Sequence, residues 1–231
     1  MDKQKTLAFI RELTDAPGVS GFEDEAVAVI RSHAEGLGQL TEDAMRNLYI
    51  QRPERKEGRP VLMLDAHSDE VGFLVRAIRP NGTLDFVTLG GWVASNVAAH
   101  KVRVRNSAGE WIPGIVSSKP PHYMSEAERK LAPEITGMVI DVGACSEKEV
   151  REELKISIAA PVVPDVLFEY RENSGVMIGK AFDNRLGCAA IVSTLRELAG
   201  VNLPLNVTVA FAPPTTVTAV ALAVIVISVV V

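Results

Sequence analysis

The chain has 231 residues, 47% of them hydrophobic, enough apolar material for one large domain or two modest ones and too much for a disordered polypeptide. A net charge of −5, with 24 Lys and Arg dispersed among 29 acids, gives no basic patch and excludes nucleic acid as the expected partner. Cys145 and Cys188 each stand alone, unlike the disulfide framework of a small secreted domain, so the expected compartment is the reducing cytoplasm.

From the amino terminus, Met1 to Lys5 leads into amphipathic sequence without the apolar core of an export signal. Leu7, Ile10 and Leu13 recur at helical spacing, and the turn Asp15-Ala16-Pro17-Gly18 should end that helix. Ser20 to Glu23 reads as a capping box opening a second helix that runs to about Gly36. Val61 to Ala66 is a short apolar run, the pattern of a strand covered on both faces in an α/β sheet. His67-Ser68-Asp69-Glu70 follows at its carboxyl end, where ligand sites of open α/β sheets lie.

Past Val71 the texture changes to short alternating strands. Pro80-Asn81-Gly82 joins two of them, and Asn106 to Gly109 joins Val102-Arg103-Val104 to Trp111-Ile112, as in a small barrel or sandwich. Ser146 to Glu149 forms another capping box, and Pro161 to Pro164 reads as a return linker. The insert is therefore placed at residues 71–164, between residues 1–70 and 165–231 of an α/β domain. In that second part Val176-Met177-Ile178 is strand-like. Asp183 precedes a helix with Leu186, Ala190, Leu195 and Leu198 on its apolar face, and Val207 to Phe211 is a buried strand. Pro213 to Val231 carries no charge, and its uninterrupted apolar part, from Val217, falls short of the roughly 18 residues that span a bilayer. Buried strands, or a sequence altered by frameshift or cloning, account for it better than a membrane anchor does.

Two constellations could carry chemistry. Alternation along a strand end sends His67 and Asp69 to the same side, where a neutral imidazole can bind a metal while a carboxylate on its other ring nitrogen fixes the tautomer. The same tripeptide also suits a polar strand end making local hydrogen bonds. In Gly179-Lys180-Ala181-Phe182-Asp183-Asn184-Arg185, Asp183 is either an ordinary N-cap or a carboxylate able to bridge two cations. His100 and His122 lie in the insert without metal-spaced partners, Cys188 reads as a small core residue without a base to activate it, and Ser125 to Lys130 reads as a solvated face.

In order and spacing, Val19-Ser20-Gly21-Phe22-Glu23, Ala66-His67-Ser68-Asp69-Glu70-Val71-Gly72-Phe73, Gly90-Gly91-Trp92 and Gly179 to Arg185 resemble the glutamyl/tetrahedral (deblocking) aminopeptidase family, which includes fructose-operon relatives. The likeness runs from the amino terminus to about Phe211. It implies a three-layer α/β catalytic domain interrupted by a β-barrel dimerisation domain. It also implies a cytoplasmic hydrolase that removes amino-terminal residues from short peptides with two divalent ions, zinc or cobalt foremost and manganese next. By resemblance His67 would ligate one metal, Asp183 would bridge both, and Asp69 would orient His67 as part of the catalytic apparatus. Subunits would pair through the insert, as dimers or a tetrahedral dodecamer.

The sequence departs from that pattern where the family carries a Gln-Glu-Glu-Val-Gly-Leu-Arg-Gly stretch and later ligands. Here Ala212-Pro213-Pro214-Thr215 follows, and no carboxylate occurs after Glu197. The expectation is an aminopeptidase by descent whose activity is impaired in this polypeptide, with a catalytically silent assembly protein as the alternative.

Overall fold

A computed structural model describes residues 2–53, 56–131 and 133–212. The chain divides into two compact units, one made of Met1–Asp69 and Leu167–Val231, the other of Glu70–Val166. The apolar segment from Pro213 onward, with every expectation attached to it, lies outside the described residues.

In the first unit α1 (Lys3–Asp15) starts at Asp2, whose carboxylate accepts from the Gln4 and Lys5 amides at 3.0 and 3.3 Å. It stops where Pro17 forces Ala16 into extended backbone, ψ 130°. Helix α2 (Asp24–Ala34) carries Asp24 and Glu25 in its first turn and Arg31 and His33 in its last, the arrangement the helix dipole favours. The expected capping box is not formed. The cap position is Glu23, which makes no side-chain cap bond. A turn closed by the Phe22 amide donating to the Val19 carbonyl holds Ser20 back from the helix, and the Glu23 carboxylate accepts from the Gly21 amide instead. Strands β1 (Gln39–Glu42), β2 (Leu48–Gln51) and β3 (Val61–His67) complete this stretch.

The second unit supplies β4 (Gly72–Ile78), β5 (Leu84–Leu89), β6 (Lys101–Arg105), β7 (Trp111–Ser117), α3 (Glu126–Arg129), β8 (Val139–Asp141), α4 (Glu147–Glu152) and β9 (Pro161–Pro164). Its strands close a barrel in the order β4-β5-β8-β7-β6-β9, which settles barrel over sandwich and removes exposed sheet edges. Phe73, Leu84, Val102, Val104, Ile140 and Val162 fill it. Residues 161–164, expected as a linker, are instead a fully buried strand pairing with both β4 and β6. The two prolines sit at the strand's ends and leave Val162 and Val163 to make the ladder, so the missing amides cost little. Ser146 does cap α4, its hydroxyl accepting from the Glu149 amide at 3.2 Å.

Back in the first unit come β10 (Glu169–Arg171), β11 (Val176–Ile178), α5 (Phe182–Glu197) and β12 (Asn206–Ala212). The main sheet has the order β1-β2-β12-β3, with β12 parallel to β3 and antiparallel to β2. Phe9 and Leu13 of α1, Ile30 of α2 and Leu195 of α5 meet Ile50 and Phe211 of the sheet in one core. Cys188, Ala189 and Val192 define the buried side of α5, while Ala190 is exposed, contrary to its expected place on the apolar face. Strand β3 is also less covered than its composition implies, with Val61 55% exposed, because it ends the sheet among the described residues.

Candidate functional site

The parallel ladder sets Ala212 opposite His67, so the ends of β12 and β3 lie side by side. His67 is half-buried, and its Nδ1 lies 2.9 Å from Oδ1 of Asp69, which is buried. A carboxylate oxygen only accepts, so Nδ1 carries the hydrogen and the neutral ring keeps its lone pair on Nε2. The hydrogen bond to Asp69 raises the imidazole pKa above its ordinary value, burial opposes this, and the negative charges of Asp69 and Asp183 add to the rise. The second oxygen of Asp69, Oδ2, accepts from the Ser20 hydroxyl.

On the other side Nε2 of His67 lies 3.3 Å from Oδ1 of Asp183, whose side chain is 97% exposed. Asp183 does not act as an N-cap. Its own backbone and that of Asn184 lie outside the helical region, the peptide bond between them is cis, and the first helical amide, Arg185, donates to the Ala181 carbonyl at 3.1 Å. The Asp183 carboxylate makes no cap bond to its helix and faces His67.

Arg185 is the part of the site that sequence reasoning missed. It is fully buried. Its Nε donates to the Ser68 carbonyl at 2.7 Å, Nη1 to the carbonyls of Leu13 (2.9 Å) and Ala16, and Nη2 to that of Gly18 at 3.2 Å. One guanidinium therefore fastens the segment after α1 to the residue between His67 and Asp69. A Cβ at Gly18 would stand 2.9 Å from Arg185 Nη2, so a larger residue there would press on the guanidinium. The available signal was register: three, four and seven residues before Cys188, Ala189 and Val192, Arg185 falls on the buried side of α5.

Cys188 is buried as expected, its thiol directed at the His67 carbonyl 3.3 Å away, and burial pushes its pKa up to about 12, which leaves it unreactive. His100 holds the Asn96 carbonyl at 2.9 Å, and His122 packs on Tyr123. Lys130, just past α3, pairs with Glu126, both side chains exposed.

As metal donors, His67 and Asp183 suit a borderline divalent ion, since each presents an electron pair toward the other. They are two donors where a stable site takes three or four, and among the described residues no group of three His, Cys, Asp or Glu side chains converges. The residues present therefore fit part of a metal centre and do not complete one.

Comparison with known proteins sets the chain beside peptidases. The TET aminopeptidase of a marine sediment thaumarchaeon superposes with a TM-score of 0.86 at 33% identity, covering 92% of this chain and 60% of that one. The TET1 peptidase of Pyrococcus horikoshii, which can assemble into a tetrahedron or a large octahedral shell, gives 0.77 at 26% identity over 89% of this chain and 60% of its own. The glutamyl aminopeptidase of Lactococcus lactis is 30% identical over 199 residues, 85% of this chain and 56% of that protein. The profile of the M42 glutamyl aminopeptidases matches residues 47–215, and the chain belongs to that family. It spans about half the length of the curated relatives it matches. Among the described residues no helix is long and apolar enough to cross a membrane.

Proposed function

We propose that this chain contributes to a metal-dependent aminopeptidase that removes amino-terminal residues from short peptides, with His67 and Asp183 as metal donors and Asp69 orienting His67. One observation carries the reading. With Nδ1 hydrogen-bonded to Asp69, the neutral His67 ring aims a lone pair at a carboxylate oxygen 3.3 Å away, and two electron-pair donors that close call for a cation between them. A proton serves at low pH; a divalent ion serves where the ring is neutral. Water activation and carbonyl polarisation are what such ions supply in peptide hydrolysis. The names of the relatives support peptides as the substrate class, and the assembly of the TET1 peptidase supports self-association.

With two donors in place and no carboxylate after Glu197, these 231 residues alone hold metal weakly and turn over peptides slowly. The competing reading, a catalytically silent assembly protein, is favoured by the same shortfall beside an intact, closed barrel. Metal analysis after dialysis, size-exclusion chromatography and aminoacyl-anilide assays separate the readings. The expected result is less than one retained ion per chain, with slow turnover that added zinc or cobalt raises. Two tightly held ions with robust turnover would overturn the weak-binding part, and an assembled particle inert at any metal concentration would favour the silent form.

A further inference from the structure

We infer that Ser20 is a positioning residue of the site, the outer member of a Ser20–Asp69–His67 chain that sets which ring nitrogen of His67 faces Asp183. The inference rests on the reading of His67 as a donor, and its test below does not depend on peptidase activity. The Ser20 hydroxyl donates to Oδ2 of Asp69, while Oδ1 of the same carboxylate takes the His67 Nδ1 hydrogen at 2.9 Å. Asp69 is only 5% exposed. A carboxylate so enclosed, tied at one oxygen only, is free to turn about its Cβ–Cγ bond; a donor at each oxygen fixes its plane and hence the direction in which Oδ1 accepts.

Ser20 is itself held from both sides. The Phe22 amide donates to the Val19 carbonyl and closes the turn containing Ser20, and the Glu23 carboxylate accepts from the Gly21 amide at 2.9 Å. Arg185 then ties Gly18, two residues before Ser20, to Ser68, one residue before Asp69. The backbone segments that carry the hydroxyl and the carboxylate it serves are thus fastened to the same guanidinium. A serine at a helix cap would spend its hydroxyl on a backbone amide; this one spends it on the carboxylate that orients His67.

The experiment is nitrogen-15 NMR of the full chain labelled at histidine, with the His67 signals assigned by their loss in His67→Gln. At a pH where the ring is neutral, the parent should show the Nδ1–H tautomer and a downfield Nδ1–H proton. Ser20→Ala should lose that proton resonance and shift the ring nitrogens toward a mixture of tautomers; Ser20→Thr, which keeps the hydroxyl, should restore both. If Ser20→Ala does not fold, Ser20→Gly, which also lacks the hydroxyl, takes its place in the comparison. An unchanged Nδ1–H tautomer in Ser20→Ala or Ser20→Gly overturns the role of Ser20 and leaves the peptidase reading standing, whereas His67 in the Nε2–H tautomer in the parent chain would remove both.

Discussion

Replacing Arg185 by Met keeps the volume of a long side chain and deletes all its donors. The carbonyls of Leu13, Ala16, Gly18 and Ser68 then lose these four hydrogen bonds, three of them buried and that of Ala16 part-buried. An unsatisfied buried carbonyl costs about 1–3 kcal/mol. At the lower figure the four together lose ~4 kcal/mol, and recovery of the guanidinium's desolvation cost keeps the total toward that end. Against the ~5–15 kcal/mol that stabilises an ordinary domain, this is a large share. With a urea slope of about 2 kcal/mol/M the midpoint falls by ~2 M. Arg185→Lys keeps the charge but has three donors on a flexible stem in place of a planar fork, and should lose ~1 M. The assay must use far-UV circular dichroism, because Trp92 and Trp111, the chain's two tryptophans, both lie in the barrel and report on the other unit. A Met variant with its dichroism midpoint within ~0.3 M of the parent would refute the clamp.

His67 has a raised pKa, so its share of stability is full below 6.5, the unfolded value, and fades as pH rises through the higher folded value. In chelator-treated protein the parent's melting temperature should therefore fall over that window more than that of His67→Gln, and parallel curves would contradict the ion pairs drawn here. Glu23, raised chiefly by burial, has the same sign lower down: its contribution is full below 4.5 and is lost as pH rises through the folded value, so Glu23→Gln should flatten the acid side of the melting curve. Thiol titration of the native chain should find Cys145 quickly and Cys188 only after denaturant; rapid labelling of both would contradict the burial of Cys188. Gly82→Ala puts a Cβ 2.5 Å from the Ala144 carbonyl oxygen at φ +85°, and tryptophan fluorescence should report a barrel less stable by more than about 1 kcal/mol.

What was legible in the sequence followed local rules. Pro17 after α1, Gly82 between β4 and β5 and Asn106 before β7 announce themselves because their backbone chemistry leaves few alternatives. The His67–Asp69 hydrogen bond was readable because both residues leave one strand end with a period of two. The misreadings had a non-local cause in each case. Ser20 has the composition of a cap, and only the approach of Asp69, 49 positions away in sequence, diverts its hydroxyl. Pro161 to Pro164 looks like a linker until β4 and β6 flank it. Asp183, which the sequence leaves open between a cap and a bridging carboxylate, makes no cap bond, and its Oδ1 lies 3.3 Å from His67 Nε2. Arg185 defeated intuition outright, since a charge in an apolar register is discounted unless the carbonyls that satisfy it can be foreseen.

The parallel pairing of β12 with β3 matches Asn206 to Val61, whereas every strand of the barrel falls within Glu70–Val166. As the chain leaves the ribosome, the barrel has all its strands before β12 has been made. Until then the stretch bearing His67 waits without the neighbour that fixes its register, and the closing of so long a loop is a slow step. Order of synthesis thus separates the two halves in time: every strand of the insert is made before β12, the strand that pairs with the one ending in His67.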